Sequence, residues 1–283
     1  MPAIAGRKRG KLAVLIMAAV LVALLSLWIY WGNSSLQVSR HLIQDQKITE
    51  PFHGFTIVQV SDLHNAQFGR GQAELIRQVR AARPDLIAVT GDLVDSRRTD
   101  IGTAMEFIEA AVQIAPVYYV TGNHESRVAA YAALEEQMQQ AGVTILHDRS
   151  VQLERGHASI RLLGLDDPAF APMSGTTAAR LQALADDSQF TILLSHRPEL
   201  FAVYAANNID LVLCGHAHGG QVRLPLIGGL VAPNQGFLPK YSEGIYKDGR
   251  TDMIVSRGLG NSLFPFRINN RPELVIVTLM MDN

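Results

Sequence analysis

An unbroken apolar run lies near the start of the chain, and shorter apolar runs follow it. Residues 12–31 have the sequence LAVLIMAAVLVALLSLWIYW, without charge, proline or glycine. In a helix that rises about 1.5 Å per residue, about twenty residues span roughly 30 Å, the thickness of the hydrocarbon layer of a bilayer. The pattern therefore predicts a transmembrane helix over residues 12–31.

The flanks of this run predict its orientation. Residues 32–50 are nearly balanced in charge, whereas residues 1–11 carry Arg7, Lys8, Arg9 and Lys11. The positive-inside rule places residues 1–11 in the cytoplasm and the remainder of the chain outside the membrane. A cleavable signal peptide is the alternative, but the run is long and no clear A-x-A site follows it, which favours an uncleaved signal-anchor. We therefore expect a single-pass protein of the cell membrane.

Residues 32–50 are polar and irregular, and they predict a short stalk. Beyond it, apolar runs alternate with amphipathic stretches, the order typical of α/β folds with parallel strands joined by helices. The segment 143–165 instead predicts short strands joined by a polar turn, which adds antiparallel strands. Without an internal repeat or a second boundary, residues 51–283 form one predicted domain. The main predicted strands are 55–60, 85–90, 117–121, 191–195, 210–214, 252–256 and 274–279.

Composition narrows the classes of protein only slightly. The chain has 283 residues, enough for one large core, and a formal charge of -1 that gives no indication of a nucleic-acid partner. Its single cysteine, Cys214, excludes an intrachain disulfide framework and a thiolate-rich metal site. We interpret Cys214 as a small buried hydrophobic residue.

Five of the predicted strands end in residues that bind divalent cations. Alternate side chains of an extended segment share a face, so a D-x-H or H-x-H pair is able to share one site. Ligands collect outside the carboxyl ends of parallel strands, so the five groups are expected to converge on one crevice. In chain order the groups are Asp62 with His64, then Asp92, then Asn123 with His124 and Glu125, then His196, then His216 with His218.

The residue types indicate the kind of metal centre. Carboxylate, amide and imidazole groups without thiolate favour Mn, Fe, Zn, Co or Ni in a catalytic centre over a structural zinc. These side chains are too many for one ion, so we expect two divalent ions that share one carboxylate, with Mn, Zn or Fe as the favoured metals. Glycines 91, 122 and 215 permit close approach of the backbone to this site.

The ordered motifs resemble those of the calcineurin-like metallophosphoesterase family. They are DLH at 62–64, GDLVD at 91–95, GNHES at 122–126, SHRPE at 195–199 and GHAHGG at 215–220. The chain is similar to membrane-anchored bacterial phosphodiesterases of this family, which include hydrolases of the pyrophosphate in UDP-2,3-diacylglucosamine. The resemblance covers the chain from about residue 54. It implies an α/β fold of α/β/β/α architecture, with a two-sheet β-sandwich of mixed strands flanked by helices.

The resemblance also implies a role for each motif residue. Asp92 bridges the ions, and His124 contacts the phosphate and the leaving oxygen. Two ions roughly 3.5 to 4 Å apart lower the pKa of a bridging water, and the hydroxide attacks phosphorus while His124 donates a proton as general acid. One ion is held by Asp62, His64 and His218, and the other by Asn123, His196 and His216.

These expectations define a function. We expect a dinuclear metal-dependent phosphoesterase that hydrolyses a phosphodiester or pyrophosphate bond. The short predicted stalk confines the site near the bilayer and favours a lipid-linked or envelope-associated substrate. The alternative is a non-catalytic scaffold or binding protein with this fold, although the complete ligand set argues against it. The sequence carries no signal for an oligomeric state.

Several polar residues near the motifs have more than one interpretation. Asp95 and Glu125 either orient ligands or serve as helix caps and solvent-facing groups. Asp166 and Asp167 precede a proline, which is typical of turns. Guanidinium groups match phosphate oxygens, which makes Arg197, Arg223 and Arg257 candidates for phosphate binding. The histidines interpreted as ordinary are His41, His53, His147 and His157.

Overall fold

The computed structural model describes residues 3–170, 176–184, 188–262 and 264–282. The basic segment 1–11 lies partly outside these residues. The helices are α1 (Ala3–Ser34), α2 (Ala73–Ala82), α3 (Ile101–Ala111), α4 (Tyr131–Gln140), α5 (Thr177–Leu184) and α6 (Phe201–Ala206). The strands are β1 (Gln37–Asp45), β2 (Thr56–Val60), β3 (Leu86–Thr90), β4 (Val117–Val120), β5 (Thr144–Ile145), β6 (Arg149–Arg155), β7 (Ala158–Gly164), β8 (Thr191–Leu194), β9 (Leu211–Cys214), β10 (Arg223–Leu224), β11 (Gly228–Gly229), β12 (Val231–Ala232), β13 (Gly236–Phe237), β14 (Gly244–Asp248), β15 (Thr251–Val255) and β16 (Glu273–Met281).

Helix α1 carries the apolar run, and its C-terminal end contacts the rest of the chain. The segment Lys11–Ser34 is long and apolar enough to cross a membrane, and none of its most apolar window is buried within the protein. Its interior between Lys11 and Trp31 contains no glycine or proline, which suits an uninterrupted helix. The predicted helix over 12–31 is therefore present.

The predicted stalk over residues 32–50 is wrong for most of its length. Strand β1 begins three residues after α1 ends and pairs in parallel with β16, from Gln37 opposite Glu273 to Asp45 opposite Met281. Along β1 only Ile43 is buried, because an edge strand has a single neighbour and faces solvent on much of its surface. That weak apolar pattern is the reason why the sequence does not predict a strand here.

Two six-stranded sheets form the domain. The first has the order β1-β16-β2-β3-β4-β5, in which β2 to β5 are parallel and β16 is antiparallel to β2. The second has the order β14-β15-β9-β8-β7-β6, with β7, β8, β9 and β15 parallel and with antiparallel hairpins at both edges. The antiparallel pair predicted within 143–165 is confirmed as β6 and β7.

The sheets pack face to face, and helices cover their outer faces. Ile57 of the first sheet and Ile192 of the second lie in the core between the sheets. The next residue along β2, Val58, points to the other face and packs with α2, α3 and α4, while α5 and α6 cover the second sheet. Strands buried on both faces are apolar along their length, which explains why the sequence predicts them. The α/β/β/α architecture is confirmed.

The loops that carry the motif residues meet at one edge of this sandwich. Strands β2, β3 and β4 of the first sheet and β8 and β9 of the second end there, and Gln59 of β2 links the sheets by donating to Cys214 O of β9 at 2.8 Å. Strand β16 runs antiparallel to β2 and starts at the same edge. Because β1 is parallel to β16, the end of α1 also lies at the edge that carries the motif residues.

Candidate metal centre

The loops after β2, β3 and β9 hold their polar side chains in a strained backbone. The backbone N–H of Asp62 donates to Gly91 O at 3.0 Å, which fixes the first loop to the second. A side chain on Gly215 would collide with Ser61 and Asp62, so glycine is required for this close approach. Left-handed backbone in non-glycine residues is costly and clusters at functional sites. Residues with φ between 45° and 67° include Asp62, His64, Asp92, His216 and His218.

Two clusters of potential ligand atoms share Asp92. In the first, His64 Nε2 lies 3.5 Å from Asp92 Oδ2, and His218 Nε2 lies 3.5 Å from Asp62 Oδ1. In the second, His196 Nε2 lies 3.2 Å from Asp92 Oδ2 and 3.1 Å from His216 Nδ1. The structure thus brings the predicted ligands together. Asn123 belongs with them, because it lines one cavity with Asp92 and His216. The partition between two ions stays a prediction.

The donor atoms fit divalent cations. His196 Nδ1 lies 2.8 Å from Thr90 O, and a carbonyl only accepts, so this nitrogen carries a proton and Nε2 is the nitrogen that faces the cluster. Among the residues that the structure describes, the buried Oδ1 atom of Asn123 has no hydrogen-bond partner, and neither has His64 Nδ1. Buried polar atoms normally have partners, so an unpartnered amide oxygen beside Asp92 is consistent with a metal ligand.

Two of the buried histidines are neutral, as metal ligands must be, and a third would have to lose a proton. Burial lowers the pKa of His64 and of His218 to about 3, so both rings are neutral as metal binding requires. Burial also opposes charge on His196, but the Asp92 carboxylate outweighs it and raises the pKa of His196 to about 10. A bound cation would displace that proton, because metal and proton compete for the same lone pair.

His124 is oriented differently from the other histidines. Its Nδ1 accepts the backbone N–H of Ser96 at 3.0 Å, and a backbone N–H only donates. The proton of the neutral ring therefore lies on Nε2, which is 3.2 Å from Ser262 Oγ at the mouth of the site. His124 also forms a cluster with His64 and Asp95. In this cluster, Asp95 Oδ1 lies 3.9 Å from His124 Nδ1.

Glu125 organises the two central loops and is neither a helix cap nor exposed. Its Oε1 accepts the backbone N–H groups of Leu93 at 2.7 Å and Val94 at 3.3 Å, and its Oε2 accepts those of Asp92 at 3.0 Å and Gly122 at 2.8 Å. Burial and the Asp92 carboxylate raise the pKa of Glu125 to about 8, while its hydrogen bonds favour the ionised form. Asp95 is likewise buried, and its Oδ1 accepts the Arg97 N–H at 2.8 Å.

A cavity of about 290 Å³ opens over the clusters and is rimmed by arginines. Arg97 and Arg127 line it, and the guanidinium of Arg197 lies within it, 3.0 Å from His216 Nε2. Asp167 binds the Arg197 guanidinium through two hydrogen bonds, from Nη2 at 2.9 Å and from Nε, so this aspartate is more than a turn residue. The positively charged guanidinium groups make the cavity suitable for an anion such as phosphate.

The other two candidate arginines lie outside this cavity. Arg223, in β10, pairs with Glu243, and Arg257 Nη2 lies 3.2 Å from Glu273 Oε1 beside the end of α1. Among the histidines interpreted as ordinary, His147 pairs with Asp166 at 2.8 Å and with Glu135 at 3.1 Å.

Besides Arg97 and Arg127, sequence reasoning missed three polar residues of the cavity: Ser96, Asn234 and Ser262. Asn234 Oδ1 lies 2.9 Å from Arg197 Nη1 and 3.0 Å from His216 Nε2, and its φ is 59°. Each is in a loop outside the motifs, where a single serine or asparagine is typical of turns. The only sequence signal is the concentration of glycine, proline and asparagine around residues 232–236 and 258–262.

Residues 55–220, which contain every predicted ligand, match the family model described as calcineurin-like phosphoesterase. The chain belongs to this family. YkuE of Bacillus subtilis (strain 168), an uncharacterized metallophosphoesterase, is 31% identical over 90% of this chain and 89% of its own. The phosphodiesterase YaeI of Escherichia coli (strain K12) is 28% identical over 80% and 82%. A Danio rerio transmembrane protein with metallophosphoesterase domain is 28% identical over 83% of this chain and 55% of its own.

Solved structures with the same fold are more distant in sequence. The sulfate thiohydrolase SoxB of Thermus thermophilus has a TM-score of 0.51 and 14% identity, over 82% of this chain and 57% of its own. The protein TT1561, also of Thermus thermophilus, has a TM-score of 0.50 and 13% identity, over 73% and 90%. Family membership implies a hydrolase of phosphoesters with a dinuclear divalent metal site, and the two clusters around Asp92 supply candidate ligands for it.

Proposed function

We propose that this protein is a membrane-anchored, dinuclear metal-dependent phosphodiesterase or pyrophosphatase. The observation that carries the proposal is the position of Asp92, whose carboxylate belongs to both ligand clusters on the floor of an arginine-rimmed cavity. One carboxylate shared by two sets of imidazoles suits two adjacent cations. The name of the YaeI relative, a phosphodiesterase, supports the diester preference.

In this proposal the motif residues divide between two ions of Mn, Zn or Fe. Asp92 would contact both ions, and bound ions would supply the activation of water for attack on phosphorus and neutralise the charge of the phosphate. The unpartnered Oδ1 of Asn123 supports its role as an amide ligand. Asp62, His64 and His218 hold one ion, while Asn123, His196 and His216 hold the other.

His124 acts as the proton donor to the leaving oxygen. The Ser96 N–H holds the ring so that the Nε2 proton faces the cavity, which suits donation to an ester oxygen that develops negative charge. Arg197 binds a nonbridging phosphate oxygen, because Asp167 and Asn234 hold its guanidinium in a fixed direction.

The membrane sets the proposed location and substrate. Helix α1 spans the bilayer with residues 1–11 in the cytoplasm and the domain outside, and the Danio rerio relative named as a transmembrane protein supports such an anchor. Because the motif residues and the end of α1 share one edge of the sandwich, the cavity lies close to the bilayer. This arrangement favours a lipid-linked or envelope-associated phosphodiester or pyrophosphate.

The test compares two chromogenic substrates on the full-length protein in detergent, with defined Mn²⁺, Zn²⁺ or Fe²⁺. We expect faster hydrolysis of bis-p-nitrophenyl phosphate than of p-nitrophenyl phosphate, and about two metal ions per chain. A clear monoester preference would overturn the diester assignment. A protein that takes up no metal would instead be a scaffold with this fold.

A second experiment tests the role of His124 separately from metal binding. The variant His124→Ala is expected to keep both ions and lose about 10²- to 10⁴-fold in turnover, the range typical of a general acid. His157→Ala is the matched control, because His157 is exposed on the β6–β7 turn at the opposite end of the sheets. If metal content falls with activity, His124 is a ligand and the assignment is wrong.

A further inference from the structure

Two consecutive β-ribbons expose large apolar side chains beside the site. The ribbons are β10–β11 and β12–β13, and we call residues 223–238 the apolar ribbon. At the first tip Leu226 is 107% exposed and Ile227 is 59% exposed, and near the end of the second Phe237 is 78% exposed. Soluble surfaces rarely carry such groups together, so this cluster indicates a contact with an apolar partner.

The turns themselves do not require these side chains. Leu226 has a φ of 69° and Leu238 a φ of 52°, a left-handed backbone that favours glycine, asparagine or aspartate. Leucine at such a position adds strain, and both leucines extend into solvent. A small polar residue would suit this backbone better, so the fold itself does not account for the leucines.

Hydrogen bonds place the apolar ribbon next to the end of α1. The backbone N–H of Arg223 donates to Ile268 O at 3.0 Å, and Asn269 Nδ2 donates to Arg223 O at 3.3 Å. The same segment contacts the anchor helix, because the Arg267 N–H donates to Asn33 Oδ1 at 2.7 Å and the Arg271 guanidinium lies 4.9 Å above the Trp31 ring. One short segment thus connects the anchor helix to the ribbon.

The end of α1 carries the side chains of a membrane interface. Trp28, Tyr30 and Trp31 are exposed there, and tryptophan and tyrosine concentrate at the headgroup level of bilayers. The exposed Lys240, 4.9 Å from the Tyr241 ring, lies just beyond the ribbon and suits anionic headgroups. We propose that the apolar ribbon inserts Leu226, Ile227 and Phe237 into the bilayer interface beside α1. This inference rests on the proposed membrane anchoring.

Docking of the ribbon would orient the site toward lipid. An apolar cavity of about 390 Å³ lies between ribbon and site, lined by Val222, Leu230 and Phe264 among others. It shares Pro233 and Ser262 with the arginine-rimmed cavity. With the ribbon in the interface, an apolar path runs from the bilayer to the candidate metal centre.

The test labels the ribbon in the full-length protein, reconstituted in vesicles of phosphatidylethanolamine and phosphatidylglycerol. Leu226→Cys, and separately Phe237→Cys, is labelled with an environment-sensitive fluorophore. Cys214 is completely buried, so the unsubstituted protein measures the background. His157→Cys, at the far turn, is the matched control.

We expect the labels at 226 and 237 to emit at shorter wavelength than the label at 157, and brominated lipids to quench them several-fold more. Vesicle flotation of the same samples separates the two proposals. Protein that does not float overturns the anchoring and the docking together. Protein that floats while the labels at 226 and 237 behave like the label at 157 overturns the docking alone.

Discussion

Asn33, in the last turn of helix α1, is hydrogen-bonded to the backbone of Arg267. Its Oδ1 accepts the Arg267 N–H at 2.7 Å, and its Nδ2 donates to the Arg267 carbonyl at 3.1 Å. The Arg267 side chain is completely buried, donates to Gly260 O at 2.5 Å and lies 3.4 Å from His218 Nδ1. The anchor helix is thus connected through one arginine to a candidate metal ligand.

Removal of this connection should slow catalysis without release from the membrane. For Asn33→Ala we expect kcat to fall about three- to tenfold, because the loss of hydrogen bonds worth about 0.5–1.5 kcal/mol each lets the loop around Arg267 move. Steady-state kinetics on reconstituted protein measure this effect. Ser34→Ala is the control, since its hydroxyl donates to Tyr30 O within the helix and to no other residue that the structure describes. Equal kcat in both variants would contradict the connection.

Glu125→Gln should destabilise the fold by about 2–5 kcal/mol. The amide nitrogen of glutamine would face two of the four backbone N–H donors, and each unsatisfied buried donor costs about 1–3 kcal/mol. Urea unfolding of metal-free protein measures the loss independently of the ions. The exposed Glu109→Gln on α3 should change stability by less than about 0.5 kcal/mol. Similar values for both would exclude an organising role for Glu125.

Arg197→Lys should raise the KM for a phosphodiester about tenfold with unchanged metal content. Lysine cannot reproduce the paired contact with Asp167, so its charge is no longer directed at the phosphate, and tenfold in binding corresponds to about 1.4 kcal/mol. Arg223→Lys is the matched control, since Arg223 pairs with Glu243 outside the cavity. An unchanged KM in Arg197→Lys would assign the residue a structural role only.

His147 should make stability depend on pH. Its hydrogen bond to Asp166, with a further one to Glu135, outweighs burial and raises the pKa of His147 to about 9. Because the pKa of His147 is higher in the folded state, its proton stabilises the fold in full below the unfolded pKa of about 6.5. This contribution is lost as the pH rises through 9. The side chain is 39% exposed, so we expect only about 1 kcal/mol after solvent screening.

The measurement is the difference in unfolding free energy between the native chain and His147→Gln. It should be about 1 kcal/mol at pH 6 and close to zero at pH 10. The same substitution at exposed His157 is the control. If the difference in unfolding free energy grew as the pH rose, the pKa of His147 would not be raised by this ion pair.

Chelation of the metal should lower thermal stability as well as activity. Asp62 and Asp92 are buried near each other, and divalent cations would balance their charge. Ligand present at 1,000 times its dissociation constant stabilises by about 4 kcal/mol. Thermal unfolding with and without a chelator, followed by added Mn²⁺, measures the effect, and Na⁺ at equal ionic strength is the control. A Tm that does not respond to Mn²⁺ would argue against metal binding in the folded state.

The sequence predicts the central strands and the convergence of the candidate ligands for one reason, which is the burial of those strands. Strands such as β3 and β9 are buried on both faces, so they are apolar throughout, and the polar residues that follow them are conspicuous. The periodicity does not show that β2, β3 and β4 belong to one sheet and β8 and β9 to another. That division is an expectation from the family resemblance.

The features that the sequence did not predict either have a weak apolar pattern or join residues far apart in the chain. Strand β1 is an edge strand with one buried residue, so its pattern resembles that of a linker. Ser262 reaches His124 across 138 positions, and Asn234 reaches Arg197 across 37, so no local spacing indicates either contact. Glu125 is visible in its motif, but only the folded loops show that it accepts four N–H groups.

The connection between α1 and β1 leaves the domain almost no freedom to swing. Only Ser35 and Leu36 lie between the two elements, and the Ser35 N–H still donates to Trp31 O at 2.9 Å as if the helix continued. If the proposed function is right, an enzyme mounted so rigidly in a membrane would search for its substrate by lateral diffusion within a thin layer. Its turnover would then follow the number of substrate molecules per unit area of membrane, and dilution of the surrounding solution would matter little.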